Sequence, residues 1–280
     1  MLTPHTTSLL AAIHEAKGRQ SIQTTIRPDI LGTLVAVARI QSTDASNRIE
    51  GISTSDSRLN DLVSEKVTPR NRNEEEIAGY RDALSVIHES HDYIPITPNV
   101  ILQLHRDLFR HTPLTFAGHF KDSDNVIIER DAHGTSTVRF APPSALVTPE
   151  LIERACSAYT QAIRDGHTDP LLAIAMFILD FICIHPFNDG NGRMSRLLTL
   201  LMLCRNGYMV GKYISIEHLI EQSKSTYYEA LDASTQAGTT TPMIMRHSRT
   251  TCLASYCPRA RNSTNASISR QAAERREHRE

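Results

Sequence analysis

The longest apolar run in the chain, Leu171 to Ile184, is interrupted only by Asp180. It is too short to cross a bilayer and reads as a helix buried in a core. A core that encloses such a helix needs other apolar segments around it. The chain can supply them: 280 residues, 40% of them hydrophobic, are enough for one large domain or two small ones. Gly and Pro are ordinary in number, which argues against a fibrous or wholly disordered chain. The formal net charge of −1 gives no electrostatic reason to expect nucleic acid or an acidic membrane as partner. The cysteines, Cys156, Cys183, Cys204, Cys252 and Cys257, are odd in number and scattered. They read as reduced thiols and not as a disulfide framework, and no second pair at zinc spacing accompanies Cys252 and Cys257. His14, Glu15, Lys17 and Arg19 break the first apolar stretch, so no secretory signal is expected and the location reads as cytoplasmic.

The pattern along the chain is mostly α with a small β-hairpin. Helix-like spacing extends to about Val63, and Asn71 to Glu76 (NRNEEE) reads as a charged, solvated stretch before helical spacing resumes at Ile77. Thr97 before Pro98 looks like an N-cap, with Val100, Ile101, Leu104 and Leu108 at helical spacing behind it. Asn125 to Ile128 and Val138 to Phe140 are strand-like, joined by a turn near Ala132 to Thr135. Helices are expected over Pro149 to Arg164, Pro170 to Ile184, Gly192 to about Asn206 and Ile216 to Thr235, with Gly207 ending the third. His88 and His91 lie three apart with no third ligand nearby, so solvated or capping roles are expected and not a metal. From about Thr239 the amphipathic pattern collapses into Ser, Thr, Arg and Asn, ending in a charged tail.

One segment carries chemistry: His185-Pro186-Phe187-Asn188-Asp189-Gly190-Asn191-Gly192-Arg193-Met194-Ser195-Arg196. The apolar helix delivers a histidine into a short loop, and the loop runs through a glycine-rich turn into a second helix. Backbone N–H groups at such a helix start form a nest for anionic oxygens. Arg193 and Arg196 on its first turn suit a polyphosphate. Asp189 is a hard oxygen ligand placed for Mg²⁺ on the same phosphates. His185 has the pKa class to take a proton from an attacking hydroxyl. Together these are the parts of nucleotide-dependent phosphoryl or nucleotidyl transfer.

The segment resembles the signature of the Fic (filamentation induced by cyclic AMP) family, His-x-Phe-x-Asp/Glu-Gly-Asn-Gly-Arg-x-x-Arg, and matches every fixed position. The resemblance implies a Fic-fold helical bundle with a β-hairpin flap over the site. It assigns the general base to His185, Mg²⁺ to Asp189, and the phosphates of ATP to Gly190, Asn191, Gly192, Arg193 and Arg196. Phe187 would anchor the loop in the core. Gly192 and Arg193 favour AMP transfer over the phosphate transfer of Doc-type relatives, whose loop lacks the second glycine. Gly118-His119-Phe120-Lys121 through Val126-Ile127-Ile128-Glu129, ending in Phe140-Ala141-Pro142-Pro143, resembles the flap. Lys121 stands where an arginine is usual, and Glu129 where a glycine is often found. Ile128 and Glu129 would then face the nucleotide, and a protein target would lie along 118–140 by strand addition. Tyr227 and Tyr228 resemble a tyrosine pair near adenine and ribose.

Upstream, Ser46-Asn47-Arg48-Ile49-Glu50-Gly51 matches the inhibitory pattern Ser/Thr-x-x-x-Glu-Gly/Asn of self-restrained Fic proteins, in which the glutamate pairs with the second arginine, here Arg196. The expected organisation is an N-terminal helical region over 1–95 carrying that motif, a Fic domain over 96–238, and an atypical tail over 239–280. Codons for Met243 to Ser267 can be chosen so that a shifted frame reads as an aromatic-bearing amphipathic helix, which makes the tail a disordered segment or the product of a frameshift. The implied activity is transfer of AMP from ATP to a Ser, Thr or Tyr hydroxyl of a target protein or of the chain itself, with Glu50 as brake. Two other readings use the same residues: another donor (UMP, phosphocholine or phosphate), and a catalytically silent module that binds nucleotide or a partner. A homo-oligomer is compatible with each.

Overall fold

The computed structural model describes residues 3–26, 28–130, 136–227 and 229, with the backbone alone for 20–26, 28–30, 127–130 and 136–139. Tyr228, the hairpin turn over 131–135, Cys252, Cys257 and the tail over 239–280 lie outside the described residues. The elements in chain order are α1 (Pro4–Ile26), α2 (Pro28–Ile49), α3 (Asp56–Val63), α4 (Arg72–Ser90), α5 (Pro98–Leu108), β1 (Ile127–Arg130), β2 (Ser136–Phe140), α6 (Thr148–Asp165), α7 (Pro170–Ile184), α8 (Asn191–Arg205), α9 (Val210–Tyr213) and α10 (Ile216–Gln222).

The apolar run is α7. Asp169 caps it by accepting from Leu171 N–H at 2.9 Å, and Pro170 occupies the first turn, where a missing N–H costs nothing. Phe177, Ile178, Phe181 and Ile184 on α7 pack with Leu197, Leu198 and Leu201 on α8, and α4, α5 and α6 close the same core. Phe181 and Phe187 are fully enclosed there, and burying each such side chain stabilises the fold by roughly 1.5–3 kcal/mol. Thr97 caps α5, its side chain accepting from Val100 N–H at 3.4 Å. No helix among the described residues is long and apolar enough to cross a membrane. Cys156, Cys183 and Cys204 are free thiols.

β1 and β2 pair antiparallel, Ile128 with Val138, Glu129 with Thr137 and Arg130 with Ser136, and the register shifts between Ile127 and Ile128. α2 lies across α4, α9 and α10. Its buried face reads Ala38, Ser42, Ala45 and Ile49 at helical spacing, and the small side chains let it approach closely.

Two expectations need correction. Asn71 to Glu76 is not a solvated stretch: Asn71 caps α4 by accepting from Glu74 N–H at 3.0 Å, and Glu74 and Glu76 are each only 3% exposed. Hydrogen bonds from Arg58 hold the Glu74 carboxyl down at about 2, against the opposing effect of burial. His88 is not solvated either: it is 4% exposed, and burial followed by the charges of Lys212, Arg39 and His91 pushes its pKa down to about 4.

Candidate active site

α7 ends where His185 turns left-handed (φ 49°), its N–H donating to Phe181 O at 3.0 Å. That turn aims the chain out of the core. Burial, reinforced by the charge of Lys121, lowers the His185 pKa, so its imidazole is neutral near pH 7 and ready to accept a proton. Phe187 then re-enters the core. Asn191 fastens it from the next turn, accepting from Phe187 N–H at 3.0 Å and donating to Phe187 O at 2.8 Å. The Asn191 amide is therefore committed to the loop, which leaves its backbone N–H for the nest.

The segment before β1 braces the loop from the other side. Lys121 N–H donates to Pro186 O at 2.8 Å, and Lys121 Nζ donates to Ile184 O at 3.2 Å and Asn125 Oδ1 at 3.0 Å. Asn125 Nδ2 reaches Phe187 O at 3.4 Å, and Asn188 Nδ2 reaches Asp122 Oδ1 at 3.3 Å. Lys121 is 3% exposed, and burial lowers its pKa. The residue standing where an arginine is usual is thus a support under the histidine loop. Ile128 and Glu129 lie on β1, with only their backbone described.

Gly190 starts α8 at φ 81°, where a Cβ would lie 2.9 Å from the Phe109 ring, so both conformation and space require glycine. The first N–H groups of α8 have no intrahelical acceptor and face the loop. Asp189 presents a half-exposed carboxylate beside them, Oδ1 accepting from Gly190 N–H at 2.6 Å. No cluster of three or more His, Cys, Asp or Glu side chains suited to a metal exists among the described residues. One exposed carboxylate next to an anion nest fits Mg²⁺ that arrives with phosphate oxygens, and does not fit an all-protein cage.

The two arginines of the motif have different surroundings. Arg193 is 1% exposed and pairs with Glu76 Oε2 at 2.7 Å, with Asn47 Oδ1 at 3.5 Å, Asp189 Oδ1 at 3.9 Å and the Phe109 ring 5.0 Å below. The structure encloses it behind Asp189. Arg196 Nε donates to Ser46 Oγ at 2.8 Å, and its Nη2 donates to Ser46 O at 2.9 Å and Glu50 Oε1 at 2.7 Å. Glu50 stands at the end of α2, and Gly51 (φ 79°) turns the chain away behind it. A Cβ on Gly192 would come within 2.2 Å of Glu50 Oε1, so the carboxylate lies directly over the nest glycine. Ser46 and Glu50 thus meet Gly192 and Arg196, although Glu50 and Arg196 lie 146 positions apart in sequence. Tyr227 instead packs with Ile49 and Ile220 in a small apolar cluster.

Two residues of the site escaped sequence reasoning. Glu76 had a signal: Asn71 followed three residues later by Glu74 is an N-terminal helix pattern, and it places Glu76 on the same face as Tyr80. His105 also had one, since it shares the buried stripe of Ile101, Leu104 and Leu108. It is fully buried and stacks on Phe187 at 3.7 Å with an interplanar angle of 2°. Burial pushes its pKa down to about 4.

Residues 95–203 match the model of the Fic/DOC family. The chain is 37% identical over 90 residues to a Fido domain-containing protein of Dictyostelium discoideum, covering 31% of this chain and 58% of that protein. It is 28% identical over 145 residues to the protein adenylyltransferase fic-1 of Caenorhabditis elegans, covering 49% of this chain and 25% of that protein. The chain therefore spans between a quarter and three-fifths of the length of these relatives. Its fold matches a Fic family protein from Desulfovibrio desulfuricans with a TM-score of 0.70 at 23% identity, over 95% of this chain and 76% of that one.

Proposed function

We propose that this chain, which belongs to the Fic/DOC family over residues 95–203, is a protein adenylyltransferase restrained by its own Glu50. The observation that supports the reading best is the convergence on one loop. A neutral His185, the exposed carboxylate of Asp189, a helix-start nest at Gly190 to Gly192, and Arg196 lie within twelve residues of chain and share a single support.

In this reading His185 takes the proton of a Ser, Thr or Tyr hydroxyl on the target. The oxygen attacks the α-phosphorus of ATP, the α–β bridging P–O bond breaks, and pyrophosphate leaves. The α8 N–H groups and Arg196 hold the developing negative charge. Mg²⁺, held by Asp189 and the phosphates, supplies charge neutralisation when bound. Arg193, held by Glu76 at 2.7 Å and lying 3.9 Å from Asp189 Oδ1, adds its positive charge to the phosphate site from behind that carboxylate. The target chain, another protein or a copy of this one, lies along 118–140, where β1 offers an edge for strand addition. The N-terminal region 1–95 is then regulatory and 96–238 catalytic, and the free thiols fit a cytoplasmic setting.

The brake acts by occupancy. Glu50 Oε1 sits on Arg196 and over Gly192, in the space a γ-phosphate would take. ATP bound beside it is displaced, and a misplacement of about 1 Å costs ~100-fold in rate. The test is transfer of label from α-phosphate-tagged ATP in lysate, with wild type, Glu50→Gly and Glu50→Gly/His185→Ala in parallel. Label on protein in the Glu50→Gly lane alone is expected, at least ~100-fold above wild type. Label only from γ-tagged ATP would replace AMP transfer by phosphate transfer. A folded Glu50→Gly chain that transfers neither would leave another donor, UMP or phosphocholine, or the silent module.

A further inference from the structure

His105 lies on α5, away from the motif in sequence, yet both of its ring nitrogens serve the site. Gly118 N–H donates to Nδ1 at 2.9 Å. Since Nδ1 accepts, the proton of the neutral ring is on Nε2, and Nε2–H donates to Asp189 O at 3.1 Å. The ring lies flat on Phe187 at 3.7 Å, with Phe109 edge-on at 5.1 Å. Gly118 has φ 78°, a left-handed conformation that favours glycine, and a Cβ there would stand 3.2 Å from Leu102 O. The imidazole is thus a rigid spacer. It joins the base of the segment leading into β1 to the peptide carbonyl of Asp189, and it presses on the phenyl ring that anchors the loop.

We propose that His105 is a positioning residue for the Asp189-Gly190 turn: through its Nε2–H bond to Asp189 O it sets the direction of the Asp189 carboxylate and of the N–H nest behind it. The inference rests on the adenylyltransferase reading, in which that carboxylate meets Mg²⁺ on the phosphates. The Asp189 carbonyl and the Gly190 N–H belong to one planar peptide, and that N–H donates to Asp189 Oδ1 at 2.6 Å, so a rotation of the peptide moves the donor that holds the carboxylate. Outer-shell partners of this kind commonly change metal affinity or activity 10–100-fold when lost.

Two substitutions separate the two bonds. The shorter amide in His105→Asn places its oxygen near the Nδ1 position, keeping an acceptor for Gly118 N–H and losing the donor to Asp189 O. His105→Gln places its NH2 near the Nε2 position and keeps that donor. Both lose the stacking on Phe187, so a purely structural role lowers their melting temperatures without telling the two apart in Mg²⁺ dependence.

The experiment is calorimetric binding of ATP to the full chain carrying Glu50→Gly, over a series of Mg²⁺ concentrations. The Mg²⁺ needed for half-maximal ATP binding is expected to rise ~10-fold or more with His105→Asn and to stay within about 3-fold with His105→Gln. Equal Mg²⁺ dependence in the two variants overturns the inference. In the wild-type chain, ¹⁵N shifts of the His105 ring at pH 7 are expected to show the Nε2–H tautomer, and the Nδ1–H tautomer overturns it as well. A folded Glu50→Gly chain with His105 intact that binds no ATP at any Mg²⁺ concentration defeats the adenylyltransferase reading itself and takes this inference with it.

Discussion

Glu76 is the residue on which the interior of the site depends most. Its Oε2 is 2.7 Å from Arg193 Nη1 and its Oε1 is 2.8 Å from Arg72 Nε, and both its own side chain and that of Arg193 are almost wholly buried. Removing one partner of a buried pair leaves the other charge without compensation, a loss of about 3–5 kcal/mol. Glu76→Ala is therefore expected to lower the urea-unfolding free energy by ~4 kcal/mol. Asn47 Oδ1 at 3.5 Å and Asp189 Oδ1 at 3.9 Å are too distant to take over the Arg193 charge fully. Adding Arg193→Met removes the orphaned charge, so the double variant is expected to be more stable than Glu76→Ala alone. If the two losses simply add, Arg193 does not draw its compensation from Glu76. His105 illustrates the same dependence with a neutral group, since its environment lowers its pKa to about 4 and keeps both ring nitrogens for hydrogen bonding.

α2 is the element that carries Ser46 and Glu50 to Arg196, and in the adenylyltransferase reading it couples the brake to the motif loop. Its last turn is fastened by further contacts besides those of Arg193 and Arg196: Lys224 Nζ donates to Ile49 O at 2.9 Å, Arg48 Nε lies 3.6 Å from Glu221 Oε1, and Ile49 packs on Ile220 and Tyr227. Lys224 meets one of the carbonyls that every helix leaves unsatisfied at its C-terminus. Lys224→Ala is expected to loosen that turn by about 1 kcal/mol, raising the population of chains with Glu50 off Arg196 by roughly 5-fold. The check is basal α-phosphate transfer by a chain that retains Glu50. A rate equal to wild type would mean that the brake does not depend on α10 and the residues after it. The elements themselves were legible where one signal dominated. α7 follows from its apolar run and Asp169-Pro170 start, α5 from Thr97-Pro98, and the α7–α8 loop from its fixed spacing. The start of α4 was not, because a run of charges obscured the Asn71 cap, and because the buried partners of Glu74 and Glu76, Arg58 and Arg193, lie elsewhere in the sequence. Burial of a charged side chain is a property of its partner, which local pattern does not contain. The same reason hid the seating of Arg193 and the supporting role of Lys121.

Across the whole molecule, α2, α4 and α9 meet around His88. Lys212 Nζ on α9 donates to His88 O at 2.9 Å, and Arg39 Nη2 on α2 donates to Ser85 Oγ at 2.9 Å one turn away on α4. Neither ring nitrogen of His88 has a hydrogen-bond partner among the described residues. Burial first, and then the charges of Lys212, Arg39 and His91, hold its pKa at about 4, below the ordinary 6.5. No carboxylate contributes to that balance. The sign follows from proton uptake. Between pH 6.5 and 4 the unfolded chain binds a proton at this histidine that the folded chain does not, so stability is complete above pH 6.5 and falls as pH drops towards 4. Over that window the loss amounts to ~3 kcal/mol, at about 1.4 kcal/mol per pH unit. Carboxylates add their own dependence lower in the range, so the measurement is a difference. Urea unfolding of wild type and His88→Leu at pH 7.5, 6 and 5 is expected to show wild type losing stability more steeply, by close to one proton. A leucine of similar size sacrifices no hydrogen bond there, so the variant is expected to fold. Equal slopes would mean that His88 takes up its proton without leaving the fold, and that the junction holding α2 in place tolerates a third positive charge.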